Sequence, residues 1–240
     1  MVVRAGHQSP DDDLAQPPGK NRSRKNGQAT TAQWCKDLRV PDSQLKYLKR
    51  KFDTDLTELA KSHVNSQSVV WDVGSNCGVL AFSSAGARQI IAVEADPFLC
   101  NMLQRSVELS GIDVIVVAAA AYSEPSLAMF SIANRGRASN HLSAFKGSTQ
   151  SKGDRGQILV PTIRLDDLLD RLLPPTLIKI DVEGAELHVL AGAKRILRDV
   201  RPIFYIESGD ETRDSCHRIF QDAGYGMELG AEMNWICTPL

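Results

Sequence analysis

Short runs of apolar residues alternate with stretches of helical periodicity along the chain from Ser68 onward. Five such runs are present, at residues 69–73, 89–93, 113–117, 177–181 and 202–207. Because they are apolar at nearly every position, they are typical of strands that are covered on both faces. Three segments of helical spacing lie between them, at residues 80–87, 97–110 and 185–197. The pattern predicts a doubly wound α/β domain with a mostly parallel sheet and right-handed crossovers.

Composition divides the chain into three segments. Residues 1–31 are rich in Asp, Pro, Gly, Ser, Asn and basic residues, so they cannot bury enough apolar surface to offset the entropy of ordering, and we predict a disordered tail. Residues 32–67 carry Leu and Phe at spacings of three and four, which predicts a helical N-terminal extension packed on the following domain. Residues 68–240 then form the α/β domain.

The basic stretch of the tail has an alternative interpretation. Arg22, Arg24 and Lys25 would suit an arm that binds phosphates of nucleic acid. No aromatic residue interleaves with these charges to stack on bases, so we expect no nucleic-acid partner.

A second irregular stretch lies inside the domain, at residues 131–156. Asn, Ser, Gly, Arg and Lys dominate it and the apolar period disappears. Loops of this length in a compact domain are usually functional or disordered. Two interpretations stay open, a lid over the substrate and a surface insertion.

The overall charge is nearly balanced, with 28 Lys plus Arg against 29 Asp plus Glu. This balance favours a small molecule over nucleic acid or an anionic membrane as the main partner. No run of about 18 apolar residues is present, so we expect no membrane insertion. The five cysteines are odd in number and scattered, which argues against a disulfide framework or a zinc site and favours a cytoplasmic location. Composition leaves the oligomeric state undetermined.

The strongest chemical signal is the turn at residues 72–78, between the first predicted strand and a helix. Gly74 allows a sharp turn and the close approach of a ligand, and Gly78 lets the helix lie close to the strand. Glu94 ends the second predicted strand, where an acid can accept hydrogen bonds from both ribose hydroxyls. A nucleotide-like ligand is therefore expected. Asn76 stands where a dinucleotide motif needs glycine, which weakens a diphosphate interpretation.

A second signal lies at the end of the fourth predicted strand. Asp181 and Glu183 fall at its carboxyl end, the edge where doubly wound sheets bind ligands, and for Asp181 we favour a role in the site. Glu186 begins a predicted helix, and there we favour capping, since the helix dipole stabilises an acid at that end. Lys179 needs an acidic partner if it is buried, and Glu207 on the neighbouring strand is a candidate.

With these motifs in this order, the chain resembles the FkbM-type methyltransferases. The matching segments are residues 72–78, 93–97, 160–169, 178–186, 189–193 and 201–207. The resemblance implies a Rossmann-like methyltransferase fold, S-adenosylmethionine as methyl donor and transfer to an oxygen. This donor has no phosphates, so a phosphate cradle is unnecessary. The sequence departs from the family pattern at Ser75, usually alanine, and at Cys77, usually aliphatic or aromatic, and both changes are small.

The resemblance also implies where each part of the donor binds. The predicted cofactor-binding residues, ordered from the methionine part through the ribose to the adenine, are Asp72, Gly74, Ser75, Asn76, Gly78, Glu94, Ala95, Asp96 and Ala120. Residues 119–121 are all alanine and leave room for a flat adenine ring.

Methyl transfer is an in-line displacement, so the enzyme mainly aligns the acceptor oxygen, the methyl carbon and the sulfur. An aliphatic hydroxyl must also lose its proton, which needs a general base or a metal-bound alkoxide. Asp181 is our first candidate for the base, Glu183 the second and His141 the third, although a solvated loop is the favoured interpretation for His141. A divalent metal held by Asp181, Glu183 and Glu207 stays an open alternative, since three strand-end acids do not define a site.

The predicted acceptor is a small-molecule hydroxyl on a sugar, a natural product or a lipid-linked group, and the sequence does not choose among these. Two other classes of protein stay open. A nicotinamide-dependent oxidoreductase shares the fold and would use Glu94 in the same way. A catalytically silent module would bind the cofactor without turnover.

Overall fold

Eleven strands and six α-helices lie in the part of the chain that the computed structural model describes, residues 54–134, 139–144, 153–230 and 234–240. The strands are β1 (Val69–Val73), β2 (Gln89–Glu94), β3 (Ile115–Ala118), β4 (Ala120–Ala121), β5 (Ser126–Ala133), β6 (His141–Leu142), β7 (Asp154–Ile163), β8 (Leu177–Ile180), β9 (Ile203–Glu207), β10 (Tyr225–Leu229) and β11 (Asn234–Pro239). The helices are α1 (Thr54–His63), α2 (Val79–Ser83), α3 (Pro97–Ser110), α4 (Leu165–Leu168), α5 (Glu186–Ala191) and α6 (Arg213–Asp222). None of these helices has the length and apolar character that crossing a membrane requires.

The predicted N-terminal segments fall largely outside this description. The tail at residues 1–31 and the first part of the helical extension lie outside the described residues. Helix α1 is the described end of that extension. It packs Leu59 and Ala60 against Val70 of β1 and Leu80 of α2, and this contact joins the extension to the domain.

Seven strands form the large sheet in the order β3-β2-β1-β8-β9-β11-β10. β11 runs antiparallel to both of its neighbours, and the strands from β3 to β9 pair in parallel. This arrangement confirms the predicted α/β class. From β1 the chain adds β2 and β3 on one side, and it later returns to add β8 and β9 on the other. Doubly wound sheets open a crevice at such a reversal of strand order, beyond the carboxyl ends of the strands.

Side chains of β1 alternate between two buried layers. Val69, Trp71 and Val73 join the largest core cluster, which includes residues of α5 and α6. Val70 faces α1 and α2 on the opposite side of the sheet. All five positions of the strand are buried, which explains why its sequence is apolar almost throughout.

Helix α3 has the bounds that the sequence predicts, because both of its ends carry strong signals. Asp96 Oδ1 accepts a hydrogen bond from the Phe98 N–H at 2.9 Å, and Pro97 occupies the first helical position. Gly111 ends the helix in the left-handed region, with φ of 69°.

The helix predicted at residues 185–197 is shorter than expected. It ends at Ala191, and a π-helical turn follows at Ile196–Val200. A Cβ on Gly192 would overlap the backbone oxygen of Tyr122, so the chain here lies against the segment that follows β4. Because Gly192 and Tyr122 are far apart in sequence, the hydrophobic spacing of residues 185–197 gives no sign of this contact.

A second, four-stranded sheet corrects the expectation of an irregular stretch at residues 131–156. Its order is β4-β7-β5-β6, and β5 and β7 form a long antiparallel pair. Strands β5 and β7 thus extend into the irregular stretch from both ends, and β6 lies within it. In β5, Phe130 and Ile132 face inward and are buried, whereas Leu127 and Met129 are exposed on the other face. Because both faces carry apolar residues, the sequence shows little of the alternation between apolar and polar positions that would identify a strand.

The small sheet covers the carboxyl edge of the large sheet. Phe130, Leu142 and Val160 pack with Ala120 and, across the gap, with Ala185 after β8. This position favours the lid interpretation of the irregular stretch over a surface insertion.

Gly192→Ala should destabilise the protein, because the new Cβ would meet a backbone oxygen that cannot swing aside as a flexible side chain does. We expect the free energy of unfolding to fall by about 1 to 3 kcal/mol, measured by urea denaturation. Gly86→Ala is the matched control, since a Cβ there meets nothing within 4 Å. Equal effects of the two substitutions would contradict the proposed contact.

Candidate active site

An open cavity with about 570 Å³ of empty space lies between the two sheets, at the carboxyl ends of β1 and β8. The large sheet and the segments that follow its strands contribute Gly74, Asn76, Val93, Glu94, Ala95, Leu99, Asp181, Val182, Glu183 and Ala185. The small sheet and its approach contribute Ala119, Ala120, Ala121, Phe130, Asn140 and Leu142. Part of this space is open to solvent, and its wall combines apolar side chains with a few polar and acidic groups, as is typical of sites for small molecules.

The turn after β1 is held in unusual backbone geometry. Gly74, Asn76 and Gly78 all have positive φ, at 70°, 52° and 83°. A Cβ on Gly74 would overlap the backbone oxygen of Asp181. We expected glycine here to admit a ligand, but the stricter requirement is the close approach of the turn to the end of β8. This approach brings the two predicted motifs together.

Glu94 is buried at the end of β2 and fixes the turn. Its Oε2 accepts a hydrogen bond from the Asn76 N–H at 2.8 Å, and its Oε1 accepts one from the Asp96 N–H at 2.8 Å. Burial raises the pKa of Glu94 to about 7, although these two N–H groups favour the anion. The carboxylate therefore changes its charge near neutral pH, inside the cavity wall.

Lys179 lies buried beneath the turn and joins β8 to β1. Its Nζ donates a hydrogen bond to the Gly74 oxygen at 2.8 Å and lies 3.2 Å from Asp181 Oδ2 and 3.5 Å from Asp72 Oδ1. The expected need for an acidic partner is confirmed. Lys179 makes short contacts with Asp72, which the register pairs directly with it, and with Asp181, and the predicted Glu207 adds an electrostatic contribution.

The charges around Lys179 favour its protonated form. Burial alone would lower the pKa of this amine, but Asp181 and Asp72 outweigh burial and hold the pKa above its ordinary value, with a smaller contribution from Glu207. Burial also raises the pKa of Asp72, which Lys179 opposes. Lys179 is therefore a buried cation that offsets part of the negative charge of the acids around it.

The segment after β8 carries the predicted catalytic acids. Asp181 and Glu183 both line the cavity, and the Asp181 side chain is 33% exposed. Glu183 has φ of 55° and Gly184 has φ of 104°, so the backbone reverses sharply there. Glu186 stabilises this reversal, because its carboxylate accepts hydrogen bonds from the Gly184 N–H at 2.8 Å and the Thr212 hydroxyl at 3.1 Å. Glu186 lies in the first turn of α5, where the capping interpretation places it, and its carboxylate fixes the segment that precedes the helix.

The predicted cofactor-binding residues divide into two groups. Gly74, Asn76, Glu94, Ala95 and Ala120 line the cavity, whereas Asp72, Ser75, Gly78 and Asp96 lie behind its walls. Those behind the walls shape the site indirectly. Asp72 Oδ2 accepts a hydrogen bond from the Ala81 N–H at 3.2 Å and so anchors the start of α2.

His141 does not lie in a solvated loop, which corrects the favoured interpretation. It is buried in β6 opposite Ser131, and its Nδ1 lies 3.1 Å from the Ser139 oxygen. Its neighbour Leu142 lines the cavity, and because successive side chains of a strand point to opposite faces, His141 faces away. The geometry thus favours Asp181 and Glu183 over His141 as candidate bases.

Several cavity residues escaped the sequence analysis, chiefly Leu99, Phe130, Asn140 and Leu142. Leu99 lies in the first turn of α3, which follows a strand end that the sequence did identify. The other three belong to the small sheet and its approach. The signal for a strand there was the spacing of two positions between the apolar residues Phe130 and Ile132.

Metal binding was left open by the sequence. Within the described ranges, no three His, Cys, Asp or Glu side chains gather in an arrangement that could hold a metal ion. A metal held by Asp181, Glu183 and Glu207 therefore gains no support from the described residues.

A parallel sheet with a reversal of strand order, a glycine turn and a strand-end carboxylate together define a Rossmann-like domain with a site for a nucleotide-like ligand. Residues 72–227 of the chain match the family described as the Methyltransferase FkbM domain. The match spans more than half of the 240 residues. The chain belongs to this family of methyltransferases, which confirms the resemblance noted from the motifs.

Individual relatives are more distant. The hexuronic acid methyltransferase AglP of Haloferax volcanii is 27% identical over 165 residues, which cover 68% of this chain and 65% of that protein. The chain thus spans just under two thirds of the length of this relative. A precorrin 8w decarboxylase of Methanobacterium thermoautotrophicum has a TM-score of 0.50 at 13% identity, over 80% of this chain and 92% of that one. This likeness shows the fold alone.

The crystal structure of a methyltransferase FkbM from Methylobacillus flagellatus is also similar. It has a TM-score of 0.49 at 14% identity, and the match covers 85% of this chain and 56% of that chain. The present chain therefore spans little more than half of that protein.

Lys179→Met should destabilise the protein strongly, because it leaves Asp72 buried without its cationic partner. We expect the free energy of unfolding to fall by about 3 to 5 kcal/mol, measured by urea denaturation at neutral pH. Lys61→Met removes an exposed ion pair with Glu58 and is the control, for which we expect little change. If both variants unfold at the same urea concentration as the unaltered protein, the buried pair is not what joins β1 to β8.

Proposed function

We propose that this protein uses S-adenosylmethionine to methylate a hydroxyl group of a small molecule. Membership of the FkbM family supports the reaction class. The observation that carries the proposal is the buried Glu94 carboxylate beside the glycine turn, at the crevice where doubly wound sheets bind nucleotide-like ligands.

The residues of the cavity fit this donor. The ionisable side chains of its described wall are the acids Glu94, Asp181 and Glu183, which suit a positively charged sulfonium. Glu94 would accept hydrogen bonds from the ribose hydroxyls, and Gly74 and Asn76 would flank the methionine part. The apolar side of the cavity, with Ala120, would take the adenine, since small residues leave room for a flat ring.

The chain's own contribution to the reaction is positioning and proton removal. When bound, S-adenosylmethionine would supply an electrophilic methyl group. Asp181 is our candidate for the group that accepts the proton of the acceptor hydroxyl, because its carboxylate is partly exposed in the cavity. Lys179 holds one carboxylate oxygen of Asp181 and so fixes its orientation. Glu183, on the sharply turned segment, is the second candidate.

The first acceptor to assay is suggested by the relative named above. That protein is a hexuronic acid methyltransferase, so we propose a sugar acid as the first acceptor, with its hydroxyl groups as the expected sites of transfer. A natural product and a lipid-linked group stay alternatives. The absence of a nucleic-acid partner and a cytoplasmic location stay predictions from the sequence.

Calorimetry with S-adenosylmethionine and with NAD separates this proposal from a nicotinamide-dependent oxidoreductase. A dinucleotide needs room for its diphosphate over the turn, and Asn76 carries a side chain where such motifs have glycine. We expect binding of S-adenosylmethionine and none of NAD. The opposite result would overturn the proposed function.

Asp181→Asn should lower turnover far more than donor affinity, because the amide cannot accept the proton of the acceptor. We expect kcat to fall by about 100- to 10,000-fold in a methyl-transfer assay with a candidate acceptor. Donor affinity, measured by calorimetry, should change little. A catalytically silent module would bind the donor but show no methyl transfer in either protein, whereas undiminished turnover in the variant would exclude Asp181 as the base.

Donor affinity should depend on pH through Glu94. The pKa of about 7 lies above the ordinary value, so the carboxyl is protonated on the acidic side and cannot accept from both ribose hydroxyls there. Affinity for S-adenosylmethionine should therefore rise by about tenfold per pH unit up to pH 7 and level off above it. In Glu94→Gln we expect weaker binding with no such dependence, and an unchanged pH profile in this variant would rule out Glu94 as the titrating group.

A further inference from the structure

A buried asparagine connects the two sheets across one end of the cavity. Asn140 precedes β6, is 8% exposed and lines the cavity. Its Nδ2 donates a hydrogen bond to Asp96 Oδ2 at 2.8 Å, over a separation of 44 positions in the sequence. Its Oδ1 accepts one from the Ala133 N–H at 2.9 Å, at the end of β5. One side chain therefore ties the small sheet to the segment after β2.

Asp96 is itself fixed from three directions. Its Oδ1 accepts from the Phe98 N–H at the start of α3, and its own N–H donates to Glu94 Oε1 at 2.8 Å. Glu94 Oε2 in turn accepts from Asn76. A continuous path of hydrogen bonds thus runs from the turn after β1 through Glu94 and Asp96 to Asn140.

The other contacts near this end of the cavity are apolar. Phe130 and Leu142 of the small sheet pack near Ala95, and Leu99 of α3 completes the wall. Apolar packing is not directional, so it does not by itself set the height of the small sheet above the large one. The buried hydrogen bond between Asn140 and the Asp96 carboxylate does set the distance between the two sheets, because breaking it leaves both groups unsatisfied.

We propose that Asn140 is a positioning residue for the methyl donor, which holds the small sheet closed over the adenine end of the cavity through its bond to Asp96. This inference rests on the proposed function, since it assumes that S-adenosylmethionine occupies the cavity. The same path of hydrogen bonds connects this closure to Glu94, the candidate ligand of the ribose.

Asn140→Asp tests the bond, because it places two carboxylates against each other where a donor and an acceptor now meet. We expect the Kd for S-adenosylmethionine to rise by about 30-fold or more, with KM for the donor rising alike. At saturating donor, kcat should stay within about threefold of the original value, because Asp181 and Glu183 are untouched. A role in folding alone would lower stability without this separation of KM from kcat.

The double variant Asn140→Asp with Asp96→Asn exchanges the two partners and restores a donor opposite an acceptor. Asparagine is also a good N-cap, so the start of α3 keeps its hydrogen bond. We expect the exchange to bring the Kd back to within about fivefold of the original. Ser143→Ala is the matched control, since it removes hydrogen bonds to Ser131 and Gln157 on the opposite face of the small sheet and should leave the Kd unchanged.

The outcomes separate the two proposals. If the unaltered protein does not bind S-adenosylmethionine in calorimetry, the proposed function fails and this inference with it. If it binds, but Asn140→Asp binds equally well or the exchange gives no recovery, only the role of Asn140 is overturned. Should Asn140→Asp fail to fold by circular dichroism, Asn140→Ala provides the measurement, with a smaller loss of donor affinity expected and an unchanged Kd counting against the proposal.

Discussion

The buried contact between Lys179 and the acids around it determines how the rest of the site is arranged. The register of β1 and β8 places Lys179 beside Asp72, and its Nζ also reaches the Gly74 oxygen and Asp181. A buried cation among carboxylates is tolerated only when all of these groups are paired. The strand ends must therefore stay together, and Gly74 must remain glycine so that the turn can lie against the backbone of Asp181.

From this junction the cavity follows in two steps. The reversal of strand order opens a crevice beyond β1 and β8, and Glu94 fixes the turn on one side of it through two backbone hydrogen bonds. The small sheet then covers the crevice, with Asn140 bonded to Asp96 at one end. The large sheet thus supplies the acids that face a ligand, and both sheets contribute apolar residues to the lining.

Five strands of the large sheet could be predicted because their information is local, whereas the antiparallel strands β10 and β11 were not predicted. Strands buried on both faces are apolar throughout, and α3 carries its own stop signals at Asp96 and Gly111, so its bounds agree with the expectation. The small sheet was missed, since β5 and β7 are exposed on one face and are defined by their pairing with each other. His141 was misplaced for the same reason, because its burial depends on that pairing.

The sequence alone therefore determined the fold class, the family motifs, the glycine turn and the acids at the strand ends. These are properties of short segments, because the burial pattern and the backbone conformation of each segment depend mainly on residues that are close in sequence. Only the tertiary structure decided which acids contact Lys179, why position 74 is glycine and how Asn140 reaches Asp96. Those features depend on register and on contacts between residues far apart in the chain, and no local period or spacing encodes such distances.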